Sequence, residues 1–111
     1  MAEVKEMAEE DVLLEDILNA LDITFDDEAT RKKIRDLMHQ GKARIEQLKG
    51  APVDFAEEQM ARMLLFAFCR YGRSNAAEQF EHDFACQLTA FSLEAAVAGM
   101  RESGADDENE V

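Results

Sequence analysis

Apolar side chains recur every three or four positions along most of this chain, a spacing that predicts helices rather than strands. The first predicted helix runs from about Asp11 to Leu21, where Leu13 and Ile17 lie on its apolar face. The residues before it, 1–10, are rich in acids and have little apolar periodicity, so we expect a flexible acidic leader there.

A second helix is predicted after the β-branched and aromatic run Ile23–Phe25. The acids Asp26–Glu28 suit its start, because the helix dipole favours carboxylates there, and either Thr24 or Asp26 could cap it. Gly50 is the expected left-handed stop. Gly41 falls on the apolar face, which predicts close approach of a neighbouring helix.

The third predicted helix begins at Asp54, with Glu57 completing a capping box, and continues past Gly72 to about Glu81. It is apolar nearly all round, so we expect it to be the long central helix. The fourth begins after a cap at Asp83 and ends near Met100. The predicted core of these two helices comprises Leu64, Phe68, Tyr71, Phe80, Phe84, Leu88 and Phe91.

The chain length and these elements predict a single small domain. The sequence has 111 residues, one Pro and no Trp, and 47% of it is hydrophobic. That composition favours a folded all-α domain, a small four-helix bundle spanning residues 11–101. Residues 102–111 hold five acids and no base, and we expect a disordered acidic tail.

The acidity of the chain is concentrated at its ends. The formal net charge is −13, from 25 acids and 12 bases. Residues 1–16 hold seven acids and one lysine, whereas residues 17–101 hold 13 acids and 11 bases. This distribution argues against DNA binding by phosphate neutralisation. Acidic ends usually only keep a chain hydrated, but they can also bind a basic partner.

No set of residues indicates catalysis, a metal or a cofactor. Cys69 and Cys86 both lie in apolar helical stretches, so we interpret them as reduced core thiols. His39 and His82 lack further ligands at the spacing of a zinc site. No glycine-rich phosphate loop, signal peptide or membrane-spanning run is present. We therefore expect a non-enzymatic, soluble, cytoplasmic protein without a cofactor.

The segment after the apolar part of the third helix carries the most specific pattern. Arg70 and Arg73 flank Tyr71 and are followed by the small polar residues Ser74 and Asn75. These residues could be solvated surface, or they could contact a second subunit or a partner. Arginine suits such contacts, because its planar guanidinium forms bidentate pairs and stacks on rings.

Three blocks of the chain together resemble the head–tail connector (adaptor) family of long-tailed double-stranded-DNA phages. They are the helix entry Ile23–Glu28, the run Gly41–Ala43 within the second helix, and the run from Cys69 to Glu81. The third block is the most specific. Phe25 stands where the family frequently has Trp, and the acidic tail is not a family hallmark.

The resemblance implies a structural subunit of the virion neck, assembled in the bacterial host cytoplasm. Such subunits form a homo-oligomeric ring, commonly of twelve copies, beneath the portal protein. The ring extends the DNA channel without reading DNA sequence and offers a platform to the stopper or tail-completion protein. From the residues of this segment we further hypothesise that Arg70 and Arg73 help to join subunits or hold the portal. Their expected complement is the acid-rich first helix, with Glu9, Glu10, Glu15 and Asp16. These arginines are expected to contribute little to the fold of the monomer.

A second interpretation comes from a different class of protein. The chain could be a free-standing acidic helical phage or prophage protein that binds a basic host protein, for example by mimicking DNA. A mimic should spread its carboxylates over the folded surface, whereas here they cluster at the ends. Ring formation would favour the connector, and a monomer that binds a host protein would favour the alternative.

Overall fold

The protein is all-α in the part of the chain that the structure describes. The computed structural model describes the backbone of residues 2–24 and 27–110 and the side chains of residues 9–24 and 27–100. Within these ranges there is no strand, and the helices are α1 (Ala2–Ala20), α2 (Glu28–Lys49), α3 (Gln59–Arg73), α4 (Ala77–Asp83) and α5 (Ala85–Glu110). The predicted all-α class is therefore confirmed.

Helix α1 begins at Ala2, whereas the apolar pattern predicted a start near Asp11. Its end is set by Asp22, which adopts a left-handed conformation with φ of 59°. The Asp22 N–H donates to the carbonyl of Asn19 at 3.1 Å, and the Ile23 N–H donates to that of Leu18 at 2.9 Å. This pair of bonds is a Schellman motif, which satisfies the last carbonyls of the helix.

Helix α2 ends at Gly50 as predicted. The glycine has φ of 75°, and its N–H donates to the carbonyl of Glu46 at 2.8 Å. At the other end the cap residue is Asp27, whose carboxylate accepts the hydroxyl of Thr30 at 2.7 Å. The two caps that the sequence suggested were Thr24, which lies outside the helix, and Asp26, which lies outside the described residues.

Helix α3 begins five residues later than predicted. Asp54 starts a turn: its carboxylate accepts the N–H of Ala56 at 3.0 Å. The residue that completes the capping arrangement is Glu58 rather than Glu57, because the Glu58 carboxylate accepts the N–H of Asp54 at 2.8 Å. Glu58 also binds Lys49 of α2 at 2.9 Å, so the α2–α3 connection is tied to both helices.

The predicted continuous helix from Asp54 to Glu81 was wrong, because the chain turns after Arg73. Asn75 has φ of 58°, and its N–H donates to the carbonyl of Gly72 at 3.0 Å. The N–H of Ala76 donates to the carbonyl of Tyr71 at 2.8 Å. This second Schellman motif uses asparagine, which tolerates the left-handed region better than most residues. The chain therefore has a short separate helix, α4, before α5.

Helix α3 lies at the centre and contacts all four other helices. Its closest packing is against α2, where a glycine on each helix receives a side chain of the other. A Cβ atom on Gly41 would lie 2.7 Å from Cδ1 of Leu65, and one on Gly72 would lie 2.6 Å from Cδ2 of Leu37. The close approach predicted at Gly41 is therefore confirmed, and Gly72 has the same role in α3.

The residues expected in the core divide into two groups. Leu64, Phe80, Leu88 and Phe91 are buried, whereas Phe68, Tyr71 and Phe84 are half-buried and pack against the core. The expectation that both cysteines are core thiols was wrong for Cys86, which is exposed on α5, whereas Cys69 is buried.

Helix α5 continues past its predicted end near Met100 to Glu110. The tail expected to be disordered, residues 102–111, thus has a helical backbone as far as Glu110, and Val111 lies outside the described residues. The Cα atoms extend over 61 × 40 × 16 Å. A thickness of 16 Å corresponds to about two helix layers, since packed helix axes lie about 8–10 Å apart.

Candidate assembly site at the α3–α4 corner

The segment that sequence reasoning singled out forms a corner where α3 ends and the chain turns into α4. We call residues Arg70, Tyr71, Arg73, Ser74 and Asn75 the α3–α4 corner. Four of them are exposed, and Tyr71 is half-buried. The Schellman motif at Asn75 fixes the turn, so the corner presents its side chains from a defined backbone.

A cluster of aromatic rings supports the corner from below. The ring of buried Phe80 meets those of Phe68 and Tyr71 edge-on, at centroid distances of 5.5 and 5.9 Å. Phe84 packs against Phe80 at 5.0 Å and against Tyr71 at 5.7 Å. Edge-to-face pairs of this kind contribute about 0.5–1.5 kcal/mol each beyond their buried area. The rings join α4 and the start of α5 to the end of α3.

The hydroxyl of Tyr71 ties the corner to the end of α4. It donates to the carboxylate of Asp83 at 2.9 Å, and Gln79 donates to the other oxygen of that carboxylate at 2.7 Å. The hydrogen bonds from Gln79 and Tyr71 lower the pKa of Asp83. The same contact with Asp83 raises the pKa of Tyr71, while the positive charge of Arg70 opposes that rise.

This role of Asp83 corrects a prediction. Asp83 was expected to cap the fourth helix, but it is the last residue of α4, and α5 begins two residues later. Its carboxylate instead accepts the hydrogen bonds from Tyr71 and Gln79. The Gln79–Asp83 spacing of four residues is the available sequence signal for this contact, since such residues are neighbours on a helix.

The two arginines of the corner differ in their surroundings. Arg73 donates to the carbonyl of Leu21 at 3.2 Å, just beyond the end of α1, and its own carbonyl accepts Lys33 of α2 at 3.4 Å. Arg73 therefore contacts residues at the end of α1 and near the start of α2 within its own chain, and its small contribution to the monomer stays a prediction. Arg70 is exposed and, among the described side chains, has no hydrogen-bond or ion-pair partner.

Three of the N-terminal acids expected to complement the corner of a neighbouring subunit, Glu10, Glu15 and Asp16, are paired within their own chain. Glu15 binds Arg31 at 2.5 Å, and Glu10 lies 3.0 Å from His39. Further pairs join Asp11 to Arg35, Glu10 to Lys42 and Asp16 to Arg62. Arg31 and Arg35, near the start of α2, thus face α1 of the same chain. These pairs are largely solvated, so each contributes at most about 1 kcal/mol.

The described residues show few features of a catalytic or metal-binding site. No group of three or more His, Cys, Asp or Glu side chains in this part of the chain could hold a metal ion. Burial raises the pKa of the Cys69 thiol to about 12, which disfavours the reactive thiolate. His82 lies beside Asp83 at the surface, 3.5 Å away. As far as the chain is described, none of its helices has the length and apolar character needed to cross a membrane.

Comparison with family models, with curated proteins and with solved structures found no match to this chain. The family resemblance therefore rests on the three sequence blocks alone. The functional interpretation depends on those blocks and on the geometry of the α3–α4 corner.

Proposed function

We propose that this protein is a structural head–tail connector subunit of a long-tailed phage or prophage. Copies of the chain form a ring beneath the portal, extend the DNA channel and offer a platform to the stopper or tail. The subunit carries out no catalysis. Its negative charge suits a channel wall along which DNA slides without sticking, because like charges repel.

One observation carries the proposal. The most specific block of the resemblance, Cys69 to Glu81, coincides with an exposed corner whose backbone is fixed by hydrogen bonds and by the packed rings beneath it. Arg70 stands on this corner without a partner among the described side chains. An exposed guanidinium on a fixed backbone suits a contact between subunits, because little backbone order remains to be acquired on binding.

The arrangement of the helices supports a more detailed proposal. Helices α1, α2, α3 and α5 act as a small four-helix bundle, and α4 is an elbow that turns the chain from α3 to α5. The acidic residues 102–111 are mobile in the free subunit and become ordered only against a partner. Their five carboxylates and lack of large apolar groups other than Val111 support this proposal.

The intramolecular ion pairs favour the connector over a protein that mimics DNA. A mimic needs unpaired carboxylates in an array, yet Glu10, Glu15 and Asp16 are engaged by bases of their own chain. Arg44 likewise binds Glu81, at 2.7 Å, across α2 and α4. The carboxylates of α1 are therefore less available to a basic host protein than the sequence suggests.

Arg70→Glu tests the proposal at the corner. The residue is exposed and without a described partner, so the substitution should leave the circular dichroism spectrum and melting temperature unchanged. It should abolish ring assembly on portal rings from the same genome, because one substitution acts at every interface of a ring. Assembly can be followed by co-sedimentation and negative-stain microscopy.

Lys32→Glu is the matched control, because Lys32 is also an exposed cation on a helix but lies outside the corner. It should assemble like the unmodified protein. Normal assembly of the Arg70→Glu protein would show that the corner is solvated surface. Equal loss in both variants would show that only overall charge matters.

A further inference from the structure

Helix α5 has a second apolar face that, within the described residues, packs against no other helix. Its buried face contains Leu88 and Phe91, but the residues Cys86, Ala90, Leu93, Val97 and Met100 lie exposed on the opposite side. We call these five residues the α5 seam. The three large ones are substantially accessible: Leu93 is 60% exposed, Val97 43% and Met100 71%.

The spacing of the α5 seam is that of a coiled coil. Its members follow one another at intervals of four, three, four and three residues. This alternation places apolar side chains along one line of a helix, where they can interdigitate with an equivalent line. The seam spans about 21 Å at 1.5 Å per residue. A continuous line of apolar side chains exposed to water is more typical of an interaction surface than of a protein that stays monomeric.

The charge of α5 indicates what covers the seam. Residues 85–100 contain a single charged side chain, Glu94, in a chain whose net charge is −13. Two copies of this chain repel each other over most of their surface, and this nearly uncharged stretch of α5 is where they can meet with the least repulsion. A strongly basic partner would find only one carboxylate, that of Glu94, within the stretch. The seam therefore fits a second copy of the same chain.

The direction of pairing follows from the acidic tail. Five acids follow the seam in residues 102–111. Parallel helices would place two such tails side by side, whereas antiparallel helices place them at opposite ends. In the antiparallel arrangement Leu93 of one copy packs beside Leu93 of the other, and Cys86 lies opposite Met100.

We propose that the free protein forms a two-fold symmetric dimer through antiparallel pairing of the α5 seam. This self-association does not depend on the role in a phage neck, since no residue of the seam belongs to the α3–α4 corner. Stable interfaces bury about 800 Å² on each partner, and five side chains along a fifteen-residue stretch offer less. The dimer is accordingly weak and depends on the protein concentration.

Sedimentation equilibrium of the full chain tests the dimer. The average mass should rise with concentration from the monomer value of 12.5 kDa toward twice that value. Leu93→Glu with Val97→Glu should keep the protein monomeric, with an unchanged circular dichroism spectrum. Met60→Glu with Met63→Glu is the matched control: these side chains are 40% and 45% exposed on α3, and the dimer should persist.

Disulfide cross-linking tests the direction independently of the acidic variants. In the Met100→Cys protein, mild oxidation should give a disulfide-linked dimer that joins Cys86 to the introduced thiol. The unmodified protein should give little, because antiparallel pairing separates the two Cys86 side chains. Buried Cys69 should not take part, since its pKa is raised to about 12.

Three results would overturn the proposal. They are a monomer at every concentration, self-association that survives the seam substitutions, and rapid cross-linking of the unmodified protein through Cys86, which would require parallel helices. Because the seam lies outside the α3–α4 corner, the Leu93→Glu, Val97→Glu protein should still form rings on the portal.

Discussion

Phe80→Ala is the substitution that should most affect the region beneath the α3–α4 corner. Phe80 is fully buried and is the one buried residue of the seven-residue helix α4. Its ring contacts Phe68, Tyr71 and Phe84. A helix this short is not stable by itself, so its position depends on this anchor.

The expected loss is about 3–5 kcal/mol in the free energy of unfolding, the usual range for removing a buried phenylalanine side chain. A domain of this size has a total stability of about 5–15 kcal/mol, so the loss is a large fraction of it. Phe80→Leu keeps most of the apolar volume but removes the ring contacts, and it should lower the free energy by about 1–2 kcal/mol.

Urea unfolding followed by circular dichroism measures these differences, with the slope of the transition checking that the unfolded states are comparable. Phe68→Ala is the internal comparison. The sequence indicated Phe68 as a core residue, and it is half-buried against the core, so its loss should cost less than that of Phe80. A loss below about 1 kcal/mol for Phe80→Ala, or a larger one for Phe68→Ala, would refute the packing described here.

Three further predictions concern other parts of the chain. Gly41→Ala should lower the free energy of unfolding by up to about 2 kcal/mol, because contact with Leu65 outweighs the gain in helix propensity; an increase in urea stability would contradict it. At neutral pH a thiol reagent should modify Cys86 rapidly and Cys69 only after unfolding, and equal rates would disprove the assigned burial. Residues 102–111 should give narrow random-coil NMR signals in the free protein, whereas strong amide-exchange protection would show a stable helix there.

The apolar periodicity predicted the helical class and most of the core because burial of one face of each helix decides both. Gly50 was predictable as a helix end, since glycine adopts the left-handed conformation at no steric cost. The stop at Asn75 was not, because asparagine occurs in both helices and turns and the apolar pattern continues across it to Phe80. The boundary between α3 and α4 is visible in the structure, from the hydrogen bonds of the turn, and not in the sequence pattern.

The partners of the charged residues could not be inferred from the sequence. Glu15 and Arg31 are 16 positions apart, and the crossing of α1 and α2 alone brings them together. The same holds for Arg73, whose contact with Leu21 spans 52 positions. The spacing of the α5 seam, by contrast, is visible in the sequence. That this face of α5 lacks a partner becomes clear only when the structure shows that the opposite face, with Leu88 and Phe91, packs against the core.

Incubation of the purified protein with portal rings from the same genome, followed by negative-stain microscopy and light scattering, tests the connector function most directly. We expect many copies of the chain to add to each portal as a second, coaxial ring with a continuous central channel. The mass should increase accordingly, and the Arg70→Glu protein should add none. Portal rings that remain bare at saturating concentrations of the unmodified protein would contradict the proposed function.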